Sequence, residues 1–196
     1  MDVDDRRRLV SEAAWRVLTR DGLTELSVRK VAAEAGLPPS SLRYTFPTQA
    51  SVRDAAVSLL ADRLNTRVAQ ARHAAPDSSG ARAILLELLP LDAERRSEME
   101  VTVSFIALSM TDASLRPAHD KAHNAVRGIC AQALELIGAE PTQVQLTHAV
   151  IDGLALHLLG QPIGSPAGWA IQALDAHLEQ LHAHRPTPAD PAAGAA

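Results

Sequence analysis

Cysteine is all but missing: Cys130 is the single one in 196 residues, so no intrachain disulfide can form. Aromatic residues are also scarce, at 3%, which leaves the aliphatic side chains to build any core. No apolar run approaches the roughly 20 residues that a membrane-spanning helix needs. The opening MDVDDRRRLV lacks the apolar stretch of a secretory signal, so a cytoplasmic protein is expected. Sustained period-two alternation is absent, which argues against sheets, and no tandem repeat is present.

What remains is an ordinary globular composition, 46% hydrophobic and 21% charged, in a chain long enough for one good-sized core or two small ones. The net charge of −4 is unevenly spread. Residues 1–75 carry 12 basic and 9 acidic side chains, whereas residues 76–196 carry 7 and 14. A basic end on an acidic remainder is the asymmetry of a nucleic-acid-binding end, or of two ordinary surfaces that differ by chance.

Helical spacing covers nearly the whole chain, so the expected fold class is all-α. A first helix over about 4–20 places Leu9, Val10, Ala13, Ala14, Val17 and Leu18 on one face, and Gly22 stops it. Ser27 is a good N-cap for a second helix ending at Ala35 before Gly36. Pro38 and Pro39 open a short third helix, Pro47 closes it, and a longer helix runs over about 49–75. The stretch 75–81 (APDSSGA) reads as a linker or tight loop. Three further helical segments follow, and the last two large helices are expected to start with first-turn prolines at Pro141 and Pro166. The terminal RPTPADPAAGAA reads as a disordered tail, 185–196.

The segment GLPPSSLRYTF (36–46) combines loop residues with an apolar inside. Set against the second helix, it makes a helix-turn-helix: Val28, Val31, Ala32 and Ala35 form one apolar face, Gly36 allows the turn, and Leu37 and Leu42 fill the angle. Outward residues are then Pro39, Ser40, Arg43 and Tyr44. Arginine can bind guanine through two hydrogen bonds, and tyrosine can reach a phosphate. The plainer alternative is a helical hairpin with a surface arginine.

Residues 6–57 resemble the N-terminal DNA-binding domain of the TetR family of bacterial transcriptional regulators. The likeness rests on Asp21-Gly22-Leu23-Thr24, Ser27-Val28-Arg29, Ala35-Gly36-Leu37, and Leu42 with Tyr44 and Phe46. The segments 88–101, 108–123 and 150–159 resemble the BetI-like subgroup. The resemblance implies a three-helix DNA-binding domain (1–48) followed by a helical ligand-binding and dimerisation domain (49–184), about nine helices in all. It implies that Ser27, Arg29, Ser41, Tyr44, Thr45, Thr48 and Gln49 face the DNA backbone, with Pro39, Ser40 and Arg43 nearest the base edges. Two positions depart from the family pattern. Thr45 stands where histidine is usual and Gln49 where lysine is usual, a loss of charge that Arg29, Lys30, Arg43 and Arg53 are placed to offset. The implied function is a repressor that binds a palindromic operator as a homodimer and is released by a small-molecule effector, with no cofactor.

Two readings stay open for the stripe Met99, Val103, Ile106 and Met110, with Phe105 nearby: plain core, or the wall of the effector cavity that the resemblance implies. His119 and His123 lie four apart beside Asp120. They read as a polar patch in or near a ligand cavity, as surface, or as half a metal site, and no third ligand is evident, so no metal is expected. An all-α enzyme or metal-binding protein using these three residues is the rival function. Cys130 reads as a small buried residue. Apolar residues cover most of the circumference of the eighth helix, and small residues there and on the ninth would let two subunits approach in a four-helix bundle. The expected dimer contacts are Ala149, Gly153, Leu156, Trp169, Ala173, Ala176 and His177.

Overall fold

The computed structural model describes residues 3–183; the expected tail lies outside them. Among the described residues the regular structure is entirely helical. Nine α-helices follow one another: α1 (Val3–Asp21), α2 (Val28–Glu34), α3 (Pro39–Thr45), α4 (Gln49–Ala74), α5 (Ser79–Leu86), α6 (Ala93–Ser109), α7 (Arg116–Leu136), α8 (Gln143–Leu159) and α9 (Gly168–Ala183).

Local chemistry sets most of these boundaries. The Ser27 side chain accepts from the Lys30 backbone amide and so caps α2. At the other end Gly36 adopts φ +66°, Leu37 N donates to Ala32 O at 2.9 Å, and Gly36 N donates to Ala33 O at 3.2 Å. This paired closure satisfies carbonyls that the helix end would otherwise orphan. Pro39 occupies the first helical position of α3. Thr48 and Ser51 form a reciprocal capping box at the start of α4.

Three expected boundaries shift. The segment 75–81 is only partly a loop, because α5 begins at Ser79. Gly80 is needed there: a Cβ would fall 2.0 Å from the Ala75 carbonyl oxygen, so only glycine lets α5 start this close to the end of α4. Pro141 and Pro166 each precede their helix by two residues instead of opening it. The Pro141 carbonyl accepts from Val144 N at 3.2 Å, so the proline sits in the lead-in turn.

Two hydrophobic clusters result. The first joins α1, α2 and α3 through Val10, Val17, Leu26, Val31 and Leu42, and takes in Val52, Ala56 and Val57 of α4. Val101 and Phe105 of α6, Leu115 and Ala118 complete it. The second is built from α5, α7, α8 and α9, with Val68 from the far half of α4. Helix α4 therefore contributes to both.

Candidate functional site

The first region of interest is the outer face of α3. Leu42 and Phe46 are buried and pin it, while Pro39, Ser40, Arg43 and Tyr44 are exposed. Tyr44 is 91% exposed, and Arg43 and Arg29 have no ion-pair partner among the described residues. Uncommitted donors on a helix held rigidly from behind can enter a groove.

Four of the other expected contacts on this side, Ser27, Lys30, Thr48 and Gln49, are already engaged. Ser27 and Thr48 are caps, accepting from Lys30 N at 3.3 Å and Ser51 N at 3.0 Å. Gln49 Nε2 donates to Leu26 O at 2.6 Å, tying the start of α4 to the turn before α2. Lys30 Nζ lies 2.6 Å from Glu25 and 3.7 Å from Asp21, so its charge is neutralised within the chain. Glu25 is also the main reason its pKa is raised. Arg53 is half-buried, with its Nε shielded from solvent and without a hydrogen-bond partner. Ser41 is half-buried, and the side chain of Thr45 lies outside the described ones. Behind the face, Glu34 receives Arg16 and Arg20, each at 2.8 Å, which locks α2 to α1 and lowers the Glu34 pKa.

The second region is a cavity of about 450 Å³ between α4, α6, α7 and α8. That size falls within the roughly 300–1,000 Å³ of small-molecule sites. Met99, Val103, Ile106 and Met110 all line it, so the methionine stripe is cavity wall along its whole length. Phe105 does not: it turns away from the cavity and is buried in the first cluster with residues of α1 to α4. His119 and His123 are not on the wall either, although Ala122, Ala125 and Val126 of the same helix are. The two histidine rings stack with centroids 5.9 Å apart, and His123 lies 4.6 Å from the ring of His148. Among the described residues no group of three or more His, Cys, Asp or Glu is placed to hold a metal ion.

Polar residues that the sequence did not single out give the cavity its charge. Arg67 pairs with Glu98 (Nη2 to Oε2, 2.5 Å) and with Glu87 (Nε to Oε2, 3.1 Å). Burial opposes the Arg67 charge, but the two carboxylates outweigh it and raise its pKa. Arg95 reaches Glu87 at 3.5 Å. Asp152, on α8, also lines the cavity. Arg96 stands outside it and donates to the carbonyls of Leu158, Leu159 and Gln161, closing the C-terminal end of α8. Cys130 is buried, and desolvation first, then the nearby Asp152 charge, push its thiol up to about 12, as befits a packing residue.

A third feature is the outer face of α8 and α9. Ala149, Leu156, Trp169, Ala173 and Ala176 are exposed there, Leu156 by 57% and Trp169 by 39%, and Gly153 is half-exposed; Leu156 also lines the cavity, at the edge it shares with this face. A Cβ on Gly153 would meet nothing within 4 Å in its own chain. His177 does not join this face: it is buried, with Nε2 2.9 Å from the Thr147 hydroxyl, and burial lowers its pKa.

Residues 78–183 match the family described as BetI-type transcriptional repressor, C-terminal. The chain belongs to this family. It is 31% identical over 175 residues to the HTH-type transcriptional regulator PksA of Bacillus subtilis (strain 168), covering 83% of each chain. Its fold matches a transcriptional regulator from Rhodococcus sp. RHA1 at a TM-score of 0.74 and 28% identity, over 89% of this chain and 95% of that one. It also matches the multidrug binding protein EbrR, solved complexed with ethidium, at a TM-score of 0.65 and 28% identity, over 88% and 98%. The protein is thus a DNA-binding transcriptional regulator of the TetR family, and the enzyme reading of His119, Asp120 and His123 falls away. Helices α2 and α3 form the helix-turn-helix of this fold. No described helix is long and apolar enough to cross a membrane.

Proposed function

We propose that this regulator is a cytoplasmic homodimeric repressor that reads an inverted-repeat operator with α3 and lets go when an apolar organic molecule fills the cavity. The observation that carries this is the double duty of α4. Val52 and Ala56 pack in the cluster that holds the recognition helix, and Val57 belongs to that cluster while also lining the cavity. Leu60, Ala61 and Leu64 continue the cavity wall along the same 26-residue helix. A ligand that pushes on this wall moves the lever on which α3 is mounted.

Arg43 and Ser40 are assigned to base edges, with Tyr44 and Arg29 on phosphates. Ser27, Thr48 and Gln49 serve by holding the unit in shape, and their remaining hydrogen-bonding capacity can still meet phosphate. The cavity wall assigned to the effector is Met99, Val103, Ile106 and Met110. The similarity to the multidrug binding protein EbrR, solved complexed with ethidium, supports a small-molecule effector.

The dimer is assigned to the outer face of α8 and α9. Exposed Leu156 and Trp169 flanked by Ala149, Gly153, Ala173 and Ala176 form an apolar face with small residues at its centre. Gly153 has no crowding neighbour of its own, so the room it leaves suits a helix from outside the chain. Two recognition helices are needed because one reads too few bases for useful specificity. Selection of bound duplexes from a random pool tests the assignment: an inverted repeat with half-sites about one helical turn apart or more is expected, and enrichment of a single asymmetric site would overturn it.

A further inference from the structure

We infer that Asp152 is the anchor for a positively charged effector, and that His148 is a built-in proton competitor for the same carboxylate. This rests on the effector-cavity reading above and sharpens it to a ligand class: a monocation with a large apolar body.

The cavity wall carries five ionisable groups, Arg67, Arg95, Glu87, Glu98 and Asp152. Four of them neutralise one another. Arg67 holds both oxygens of Glu98, at 3.2 and 2.5 Å, and Glu98 is only 5% exposed. Glu87 lies between Arg67 and Arg95, at 3.1 and 3.5 Å. Asp152 has no Arg or Lys within ion-pair distance among the described residues; it pairs only with His148 Nε2, at 3.5 Å one turn earlier on α8. Its side chain is 55% exposed, which places the carboxylate at the rim of the cavity. A carboxylate without a cationic partner at the rim of an otherwise apolar wall attracts a cation whose bulk can cover that wall.

His148 decides how strongly it does so. The ring is 2% exposed, and Nδ1 has no hydrogen-bond partner. From α7 it faces His123, at 4.6 Å between ring centroids, and the guanidinium of Arg127. Cys130, also on α7, senses the Asp152 charge but holds its proton. On α9 the titratable group nearby, His177, is occupied with Thr147, and on α6 Arg96 is spent on the end of α8 and on Glu100. Burial first, then His123 and Arg127, disfavour a charged His148, and Asp152 alone favours it, with a net lowering of its pKa. At neutral pH the imidazole is therefore neutral and leaves Asp152 to the ligand. Below the ordinary histidine value of about 6.5 a growing fraction of His148 is protonated, pairs with Asp152, and displaces the cation. Cation binding must then release protons in that range, since the two positive charges exclude each other.

The test uses two near-isosteric probes that do not titrate, methyltriphenylphosphonium and neutral triphenylphosphine oxide, titrated calorimetrically into the full chain without DNA. The wild type is expected to prefer the cation. D152N should weaken the cation about tenfold and leave the oxide within about twofold. Between pH 7.5 and 5.5 cation affinity should fall while oxide affinity stays flat, and H148Q should remove most of that fall. Because H148Q alters a buried site, wild-type proton release at pH 6, read from titrations in two buffers of different ionisation enthalpy, provides the same information without a mutation. Equal weakening of both probes in D152N, or cation binding with no proton release, would overturn the inference while the effector-cavity reading stands. Failure of both probes to bind the wild type would overturn both.

Discussion

The two cores of this molecule are built from the same aliphatic residues, yet the first is filled around α1, α2 and α3, whereas a hollow lies where the second meets the Val57 edge of the first. Around α1, α2 and α3 the small residues Ala13, Ala14 and Ala32 are fully buried and the helices close on one another. Between α4, α6, α7 and α8 the side chains leave about 450 Å³ open. The filled core holds a reading surface in fixed geometry. The hollow one can change its packing when something enters. Helix α4 belongs to both, and on the function proposed above a change in the second is passed along it to the first.

The sharpest way to break this comparison is to remove the pairing of reading surfaces altogether. A charge at the centre of the α8 and α9 face, Ala173→Glu, should cost roughly 3–5 kcal/mol of association by burying an unpaired carboxylate. Light scattering after size exclusion should show monomers, and specific DNA binding should vanish with the dimer. A smaller effect is confined to the reading surface. Arg43→Ala should lose about 1–3 kcal/mol of operator affinity and blur one base per half-site in a selected logo. Tyr44→Phe should instead weaken all sequences alike. Next is the turn that orients α3. Gly36→Ala places a side chain at φ +66° and should cost about 1–2 kcal/mol of stability, read as a lower midpoint in urea, with no change in cavity binding.

The smallest effect concerns the buried histidines. His148 and His177 both have lowered pKa values, chiefly from burial. The fold therefore prefers them neutral, and the unfolded chain binds more protons below its ordinary histidine value of about 6.5. Their contribution is fully present above that value and is lost as pH falls toward the folded pKa values, at no more than about 1.4 kcal/mol per pH unit for each ring. Melting between pH 8 and 5.5 should show the decline, and His177→Gln should reduce it.

The filled core was readable from sequence because its rules are local. Ser27 as a cap, Gly36 at the turn, Pro39 at a first helical position and Leu42 facing inward each follow from neighbours within a few residues. The hollow was only half readable. Met99, Val103, Ile106 and Met110 follow helical spacing, but whether such a stripe meets another side chain or a void depends on helices far away in the chain. Phe105 lies on the same helix and turns to the other core, a distinction that only tertiary packing makes. His177 was misplaced for a similar reason: its spacing with Ala173 and Ala176 suits an outer face, but Thr147 across the α8–α9 contact draws it inside. Asp152, Arg67 and Glu98 carried no motif. Their pairing, or lack of it, spans 31 residues between Arg67 and Glu98 and is invisible to periodicity. Lys30 and Gln49 looked free for DNA because their partners, Glu25 and the Leu26 carbonyl, become neighbours only once the turn before α2 has formed.

The central claim is that occupation of the hollow is felt at the reading surface through α4. The direct measurement is the operator affinity of the dimer, by fluorescence anisotropy, without and with a saturating cavity ligand found by thermal shift. The account predicts that the ligand weakens operator binding by about 5- to 150-fold, corresponding to roughly 1–3 kcal/mol of coupling. It also predicts that Val103→Trp, which fills the wall, abolishes both the thermal shift and the weakening. A ligand that raises the melting temperature, fails to do so in Val103→Trp, and yet leaves operator affinity unchanged would contradict it.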